Sequence, residues 1–346
     1  MNSKVSKTKL ADIARAAGVS PMTVSRVLNG RGGASPETAA KIEQLADEMR
    51  YRPNAVARAL KSDRSGIIGV VVPDIANPFF PDVIRGVESV AMQNGYNLLL
   101  CNVVESAERE LNLVRILETH RVDGVILCSA RLPDAALSKA LQGYKAAVLL
   151  NRTLAPETAG SITIDYRAGA ADAARHLLNL GRRKVAVIGG PTTSVGAAER
   201  LEGIRSAFLS VGADSPVVVH CMPDIAGGAA AAAELLKAHP DIDALICYND
   251  LNAIGALQYC EATFRSVPKD IAVIGFDGIT LGELVRPQLS TMHVDKYAIG
   301  ELCMRMLLDR IDGKFIQHRI VVRPELIVRT STMLEQQAIS GQVDFA

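Results

Sequence analysis

Seven short aliphatic runs, separated by longer segments of helical period, restrict this chain more than any other feature. The runs lie at 67–73, 97–103, 124–129, 146–151, 184–190, 244–249 and 271–277. Helix candidates fall between them at 80–94, 107–119, 167–180, 197–211, 227–238 and 250–260. A strand with one wet face alternates apolar and polar residues. These runs are apolar almost throughout, so both faces are buried, as in a parallel sheet covered by helices on each side. The pattern occurs twice, over 67–150 and 184–277, and each half has the size of one doubly wound domain. The halves join near 151–166, and the tail 290–329 carries further strand-like runs, STMHV, HRIVV and LIVR. A tail that returns to both halves makes several crossover segments and hence a hinged, two-lobed body suited to closing on a small ligand.

Residues 1–65 have a different character, helical with no strand-like run. They hold 12 Lys and Arg against 6 Asp and Glu, whereas the remaining residues hold 26 against 31. A basic module on an acidic body points to a polyanion as the partner of the first part, and a nucleic-acid backbone is the commonest one. Within this module LADIARAAGVSPMTVSRVLNG places Leu10, Ile13, Ala14 and Ala17 on one helical face. Gly18 then supplies a left-handed turn, Val19 fills the elbow, Ser20 caps the next helix and Pro21 opens it. Val24, Val27 and Leu28 face inward. A third helix follows, capped by Ser35 with Pro36 in its first turn and Ile42, Leu45 and Ala46 inward. Two helices joined by a glycine turn form a helix-turn-helix whose second helix suits the major groove of DNA. On its outer side, where Pro21 also faces, Arg26 can pair bidentately with guanine or bind phosphate and Met22 can lie on a thymine methyl, while Ser20, Thr23, Ser25 and Asn29 are short donors suited to phosphate oxygens. The competing reading is an ordinary helical hairpin with a solvated face.

The run DIARAAGVSPMTVSRVLNG, followed by SPET and YRPNAVARALKS, closely resembles the headpiece of the LacI/GalR family of bacterial regulators. The body segments IIGVVVPDIANPFFPDVIRGVE, VDGVIL, RRKVAVIGGP, ERLEGIRSAF, YNDLNAIGAL and VPKDIAVIGFDG resemble family signatures in the family's order. One departure is Lys9, where the family usually has a threonine cap, and Thr8 is expected to cap one residue earlier. The resemblance implies an all-α helix-turn-helix headpiece at 8–52, a hinge helix and linker at 53–65, and an α/β two-lobed, doubly wound parallel-sheet body at 66–334 of periplasmic-binding-protein type. The expected N-lobe covers 66–162 and 293–320, the C-lobe 163–292 and 321–334, and a tail fills 335–346. It further implies that the hinge helix enters the minor groove at the operator centre, with Leu60 as an apolar wedge, Ala57 on the same face, and Asn54 and Arg58 at phosphates or groove edges. The alternative for that stretch is a plain linker. A headpiece of this size reads one half-site, so a homodimer on a near-palindromic double-stranded operator is expected. The tail has no leucine heptad that would extend the dimer to a tetramer.

Ligands of doubly wound sheets gather at the carboxyl ends of the strands. The residues there are Asp74, Asn77, Phe79 and Phe80 after the first run, Asn151 and Arg152 after the fourth, Arg200 beyond VIGGP, Asn249 and Asp250, and Asp277. Such carboxylates, carboxamides and a guanidinium suit vicinal hydroxyls, and a phenylalanine can stack on a sugar ring. The resemblance matches Phe79, Phe80, Asn151, Arg200, Asn249 and Asp277 to family effector contacts, and Asp74 joins them from its position alone. Ser194 and Gly196 offer little to an anion or a purine, which favours a neutral sugar or sugar derivative. The chain is therefore expected to be a DNA-binding transcriptional regulator, a repressor, whose operator affinity an effector controls. The other reading is a sugar-binding receptor with no role on DNA.

An enzyme is not expected. GGPTTSVG lacks the spacing of a dinucleotide-binding loop, and there is no P-loop, no HExxH and no cluster of cysteine and histidine. No cofactor and no metal are expected. The six cysteines form no CxxC pair and are expected as free, mostly buried thiols. The N-terminal residues carry no apolar signal core, and no apolar run approaches the roughly 18 residues of a membrane span. A cytoplasmic location without membrane contact is the expectation.

Overall fold

The computed structural model describes residues 8–28, 32–51, 64–314 and 318–333. It divides into two compact units, 1–65 and 66–346.

The first unit holds α1 (Leu10–Ala17), α2 (Pro21–Leu28) and α3 (Pro36–Glu48). Ile13, Ala14 and Ala17 of α1 pack with Val24 and Val27 of α2 and with Ile42 and Ala46 of α3, and these residues are buried together. The turn depends on Gly18, whose φ of 74° lies in the left-handed region that side chains avoid. Ser20 Oγ accepts from the Thr23 backbone N–H at 3.1 Å, and Ser35 Oγ accepts from that of Thr38 at 3.2 Å. Thr8 does not cap α1. Its hydroxyl donates instead to the Met49 carbonyl at 2.8 Å, fastening the chain start to the end of α3. The helix begins behind Lys9, whose N–H donates to the Asp12 carboxylate at 2.9 Å. That bond satisfies one of the free donors at the helix start without a threonine.

The second unit runs β1 (Ile67–Val72), α4 (Phe79–Gln93), β2 (Asn97–Asn102), α5 (Ala107–Thr119), β3 (Gly124–Cys128), α6 (Asp134–Leu141), β4 (Ala147–Leu150) and β5 (Gly160–Ile164). It continues through α7 (Tyr166–Asn179), β6 (Val185–Gly189), α8 (Val195–Ser210), β7 (Val217–His220), α9 (Ile225–Ala238), β8 (Ala244–Cys247), α10 (Asp250–Ala262) and β9 (Ala272–Asp277). Last come α11 (Leu281–Leu284), β10 (Ser290–His293), α12 (Lys296–Ile311), β11 (Arg319–Val322) and β12 (Glu325–Ile327). Two six-stranded sheets result, ordered β11-β5-β4-β3-β1-β2 and β12-β10-β9-β8-β6-β7. All described pairings are parallel except β10 with β12.

Burial explains why the strand sequences do not alternate. Ile126 and Cys128 point into the core shared with α4 and α12, while Val125 and Leu127 of the same strand point into the core under α5 and α6. In the second lobe Val185, Val187 and Ile246 pack toward α7 and α8, whereas Ala186, Ile188 and Leu245 pack toward α9 and α10. All six cysteines are free, and four of them are buried.

Three segments cross between the lobes among the described residues: Asp165 after β5, Val294 and Asp295 before α12, and Arg323 and Pro324 between β11 and β12. The first sheet extends to Ile164 and Val322, which pair with each other close to the approximate lobe boundaries at 162 and 320. Two strands were not anticipated. β5 reads GSITI, whose glycine, serine and threonine break the aliphatic run, and β7 is a four-residue strand at the sheet edge with half-exposed side chains.

Candidate functional sites

On the first unit, α2 presents Ser20, Pro21, Met22 and Arg26 to solvent, and Thr23 and Ser25 are half-buried. Met22 is 72% exposed, far more than a methionine needs for packing. The Arg26 guanidinium lies over the Gly33 backbone, where a Cβ would meet its Cζ at 3.0 Å, and glycine alone leaves it that space. Ser20 is committed to capping, with its hydroxyl 2.9 Å from that of Thr23. Among the described outward-facing residues of this segment, Met22 and Arg26 carry the two longest side chains. Asn29, Asn54, Ala57, Arg58 and Leu60 lie outside the described residues.

On the second unit a cleft opens between the lobes at the carboxyl ends of both sheets. The N-lobe contributes Phe79, Phe80, Glu105, Ser129, Arg131 and Asn151, and the C-lobe Tyr166, Arg200, Tyr248, Asn249 and Asp277. Six of the seven residues expected at an effector site are therefore brought together. Asp74 is not. Its carboxylate accepts from the Ala76 backbone N–H at 3.0 Å and its carbonyl from that of Asn77, so it closes the turn after β1. Arg152 also turns away, onto Asp134 at 2.6 Å and onto the carbonyls of Ala130 and Leu132.

Phe79 and Phe80 open α4 and meet edge to face, with ring centroids 5.1 Å apart. Asn151 follows β4 with a φ of 62°, and its amide donates to Ser129 Oγ at 3.2 Å while its Oδ1 accepts from the Ile164 N–H at 3.3 Å. Asn249 caps α10, accepting from the Asn252 N–H at 2.8 Å and donating to the Pro223 carbonyl at 3.1 Å. Arg200 reaches in from α8 between Tyr166, Phe276 and Tyr248, its Cζ 3.7, 4.2 and 4.6 Å from their ring centroids. The aromatic faces take the place of water around that charge. One guanidinium nitrogen donates to the Gly196 carbonyl at 3.1 Å, but the buried Nε has no hydrogen-bond partner.

Asp277 lies 3.6 Å from Arg200, and the two side chains are 8% and 7% exposed. Burial pushes the Asp277 carboxyl up to about 6, and Arg200 and Lys296 pull against that rise. Asp277 also has a φ of 113°, a strained conformation for a residue with a side chain, and such strain collects at ligand clamps. The neighbouring Asp250 is structural. Its carboxylate accepts from the Ile279 N–H at 2.8 Å and from the Thr291 hydroxyl at 2.6 Å, and burial lifts it to about 7.

Arg131, Glu105, Tyr166 and Tyr248 were not anticipated. Arg131 grips Glu105 at 2.6 and 3.1 Å, within its own lobe. It follows β3, and the strand-end rule would have found it had that strand been read like the others. Tyr166 was hidden with β5, the strand it follows, and Tyr248 directly precedes Asn249. Each lobe thus balances its own guanidinium with its own carboxylate, leaving a cleft rich in hydrogen-bonding groups but without excess charge. Among the described residues no group of three or more His, Cys, Asp or Glu could hold a metal ion, and no helix is long and apolar enough to cross a membrane.

Comparison with known proteins matches residues 9–54 to the model for bacterial regulatory proteins of the lacI family. Residues 65–327 match the model for periplasmic binding proteins and the sugar binding domain of the LacI family. The ribose operon repressor of Halalkalibacterium halodurans is 35% identical over 332 residues, covering 94% of this chain and 97% of that protein. Among solved structures, the lac repressor dimer bound to operator and the anti-inducer ONPF superimposes with a TM-score of 0.85 at 26% identity. A complex of the transcriptional regulator CelR with cellobiose gives 0.71 at 31%. Each of the two covers 94% of this chain and 99% of its own.

Proposed function

The chain belongs to the LacI family of bacterial regulatory proteins, and from that membership we propose that it is a cytoplasmic, homodimeric repressor released from or tightened on its operator by a neutral sugar. It is a DNA-binding transcriptional regulator and not an enzyme. The observation that carries the sugar reading is the buried pair of Arg200 and Asp277. The pair is too long for a hydrogen bond, and the Arg200 Nε is unsatisfied. A planar donor and a carboxylate side by side fit two adjacent hydroxyls, each accepting from one group and donating to the other. Phe79 and Phe80 supply an apolar wall for the ring. The internal charge balance of each lobe disfavours an ionic effector, because an added charge would sit unpaired at low dielectric.

Two similar proteins accord with this class, one being named a ribose operon repressor and the other bound to cellobiose. On the DNA side we assign base contacts to Met22 and Arg26, with the rest of the exposed α2 surface on phosphates. Asn54, Ala57, Arg58 and Leu60 keep the minor-groove role that the resemblance implies. A thermal-shift screen of the full-length protein with pentoses, hexoses and disaccharides tests the cleft. Stabilisation by at least one sugar and loss of that shift in Arg200→Leu are expected. Stabilisation by acidic metabolites alone would overturn the neutral-sugar reading.

A further inference from the structure

Lys296 stands outside the cleft wall, yet its ammonium group is buried and fully occupied. It donates to the carbonyls of Asp277 at 2.9 Å, Gly278 at 2.7 Å and Val294 at 3.3 Å. An ammonium has three hydrogens, so none is left for a ligand. Two of the three acceptors lie at the end of β9 and in the turn that follows it, where Asp277 and Gly278 have φ values of 113° and 68°. From the C-lobe side, Asp250 holds the Ile279 N–H and Thr291 Oγ1 accepts from the Gly278 N–H at 3.2 Å. Lys296 holds the same turn from the residue that follows the Val294–Asp295 crossover and opens α12.

Lys296 is the first residue of α12, and α12 is fixed to α4 in the N-lobe by close backbone approach. A Cβ at Gly86 of α4 would stand 2.1 Å from the Tyr297 carbonyl oxygen, and one at Gly300 of α12 would stand 2.0 Å from that of Val83. Helices in contact at this range cannot slide past each other without breaking the packing. The same α4 begins with Phe79 and Phe80, which line the cleft. A continuous chain of contacts therefore runs from the Asp277 loop through Lys296 and α12 to α4 and the two phenylalanines.

We infer that Lys296 is a positioning residue that holds Asp277 in its strained orientation and ties it to the α4–α12 pair, so that both cleft walls move together when an effector binds. This rests on the sugar reading of the cleft. No effector contact is assigned to Lys296 itself. Its removal would leave carbonyls of a left-handed turn without their donor, and the turn would relax away from the geometry that aims the carboxylate.

The test uses the full-length protein with D-ribose and cellobiose as calorimetric probes and a near-palindromic duplex selected by the protein from a random pool. Lys296→Met is expected to weaken the probe that binds by at least thirtyfold and to remove most of its effect on duplex affinity. Lys296→Arg, which keeps donors and charge, should recover at least a third of wild-type probe affinity. If Lys296→Met does not fold, Lys296→Gln, which keeps two donors, is expected to show the same losses at reduced size. Duplex affinity without sugar is the control. A variant that loses duplex affinity and melting temperature in parallel with probe affinity shows a merely structural lysine and overturns the inference. So does unaltered probe binding in Lys296→Met, which would leave the sugar reading intact. If wild type binds neither probe, the sugar reading fails for these two classes, and the inference falls with it.

Discussion

Asp277→Asn separates what the cleft does for stability from what it does for binding. The substitution keeps the shape of the side chain and removes its charge. Burial raises the Asp277 carboxyl from its ordinary 3.8 to about 6. At about 1.4 kcal/mol per pKa unit, the ionised form at neutral pH carries a penalty of about 3 kcal/mol. Because the folded pKa lies above the unfolded one, the folded protein keeps a proton that the unfolded chain releases between pH 4 and pH 6. Stability therefore falls as pH rises through that window. That penalty is already net of the attraction of Arg200 at 3.6 Å and of Lys296, so asparagine escapes it but leaves the buried Arg200 guanidinium without its charge partner. The two effects oppose, so the ligand-free variant should stay within about 2 kcal/mol of wild type at pH 7. An ordinary buried ion pair broken at one end would cost about 3–5 kcal/mol. Binding behaves differently. Replacing two charge-assisted bonds, each worth about 1.5–3 kcal/mol, by neutral ones of about 1 kcal/mol costs about 1–4 kcal/mol, or about fivefold to a thousandfold in affinity. Urea unfolding gives the first quantity, and calorimetry with the sugar found by thermal shift gives the second. A variant that binds the sugar within threefold of wild type, or that loses more than about 3 kcal/mol without ligand, refutes the assignment of Asp277 as a ligand-binding group held at a cost to stability.

Wild-type sugar affinity should decline as pH falls below about 6, where Asp277 takes up its proton, and a flat calorimetric profile from pH 8 to pH 5 would contradict this. Arg26→Ala should weaken operator binding by about 1–3 kcal/mol and relax preference at one base pair, read by duplex competition. Ile42→Ala, at a position with no exposed surface in a small three-helix core, should destabilise the headpiece by about 2–4 kcal/mol in thermal unfolding and leave sugar binding unchanged. Gly86→Ala must push apart α4 and α12, since its Cβ would stand 2.1 Å from the Tyr297 oxygen, and a lowered melting temperature of the body is expected.

The sequence was most legible where one physical requirement dominates. Strands buried on both faces read as unbroken aliphatic runs, and a left-handed turn between two helices called for Gly18. It was least legible where a residue's role depends on a distant partner. Asp74 and Asp277 both follow strands as strand-end carboxylates, yet only the second enters the cleft, because the first is taken by its own turn. Thr8 resembles a cap in sequence, but the end of α3, 41 residues away, claims its hydroxyl. The Arg131–Glu105 pair joins residues 26 apart, and no local pattern announces it. β5 was missed because glycine, serine and threonine dilute the aliphatic signal on which strand recognition rests, and β7 because its aliphatic run is only the three residues Val217–Val219.

The measurement closest to the central claim is a fluorescence-anisotropy titration of a selected near-palindromic duplex with the full-length protein, over a series of salt concentrations, with and without a sugar that stabilises it. A regulator switched by its cleft should show duplex affinity falling linearly and steeply in log–log form with salt. The sugar should shift that line by about tenfold or more, as a coupling of 1–3 kcal/mol requires, and the shift should vanish in Arg200→Leu. Specific duplex binding that ignores the sugar, or sugar binding by a protein that retains no duplex preference, would contradict it.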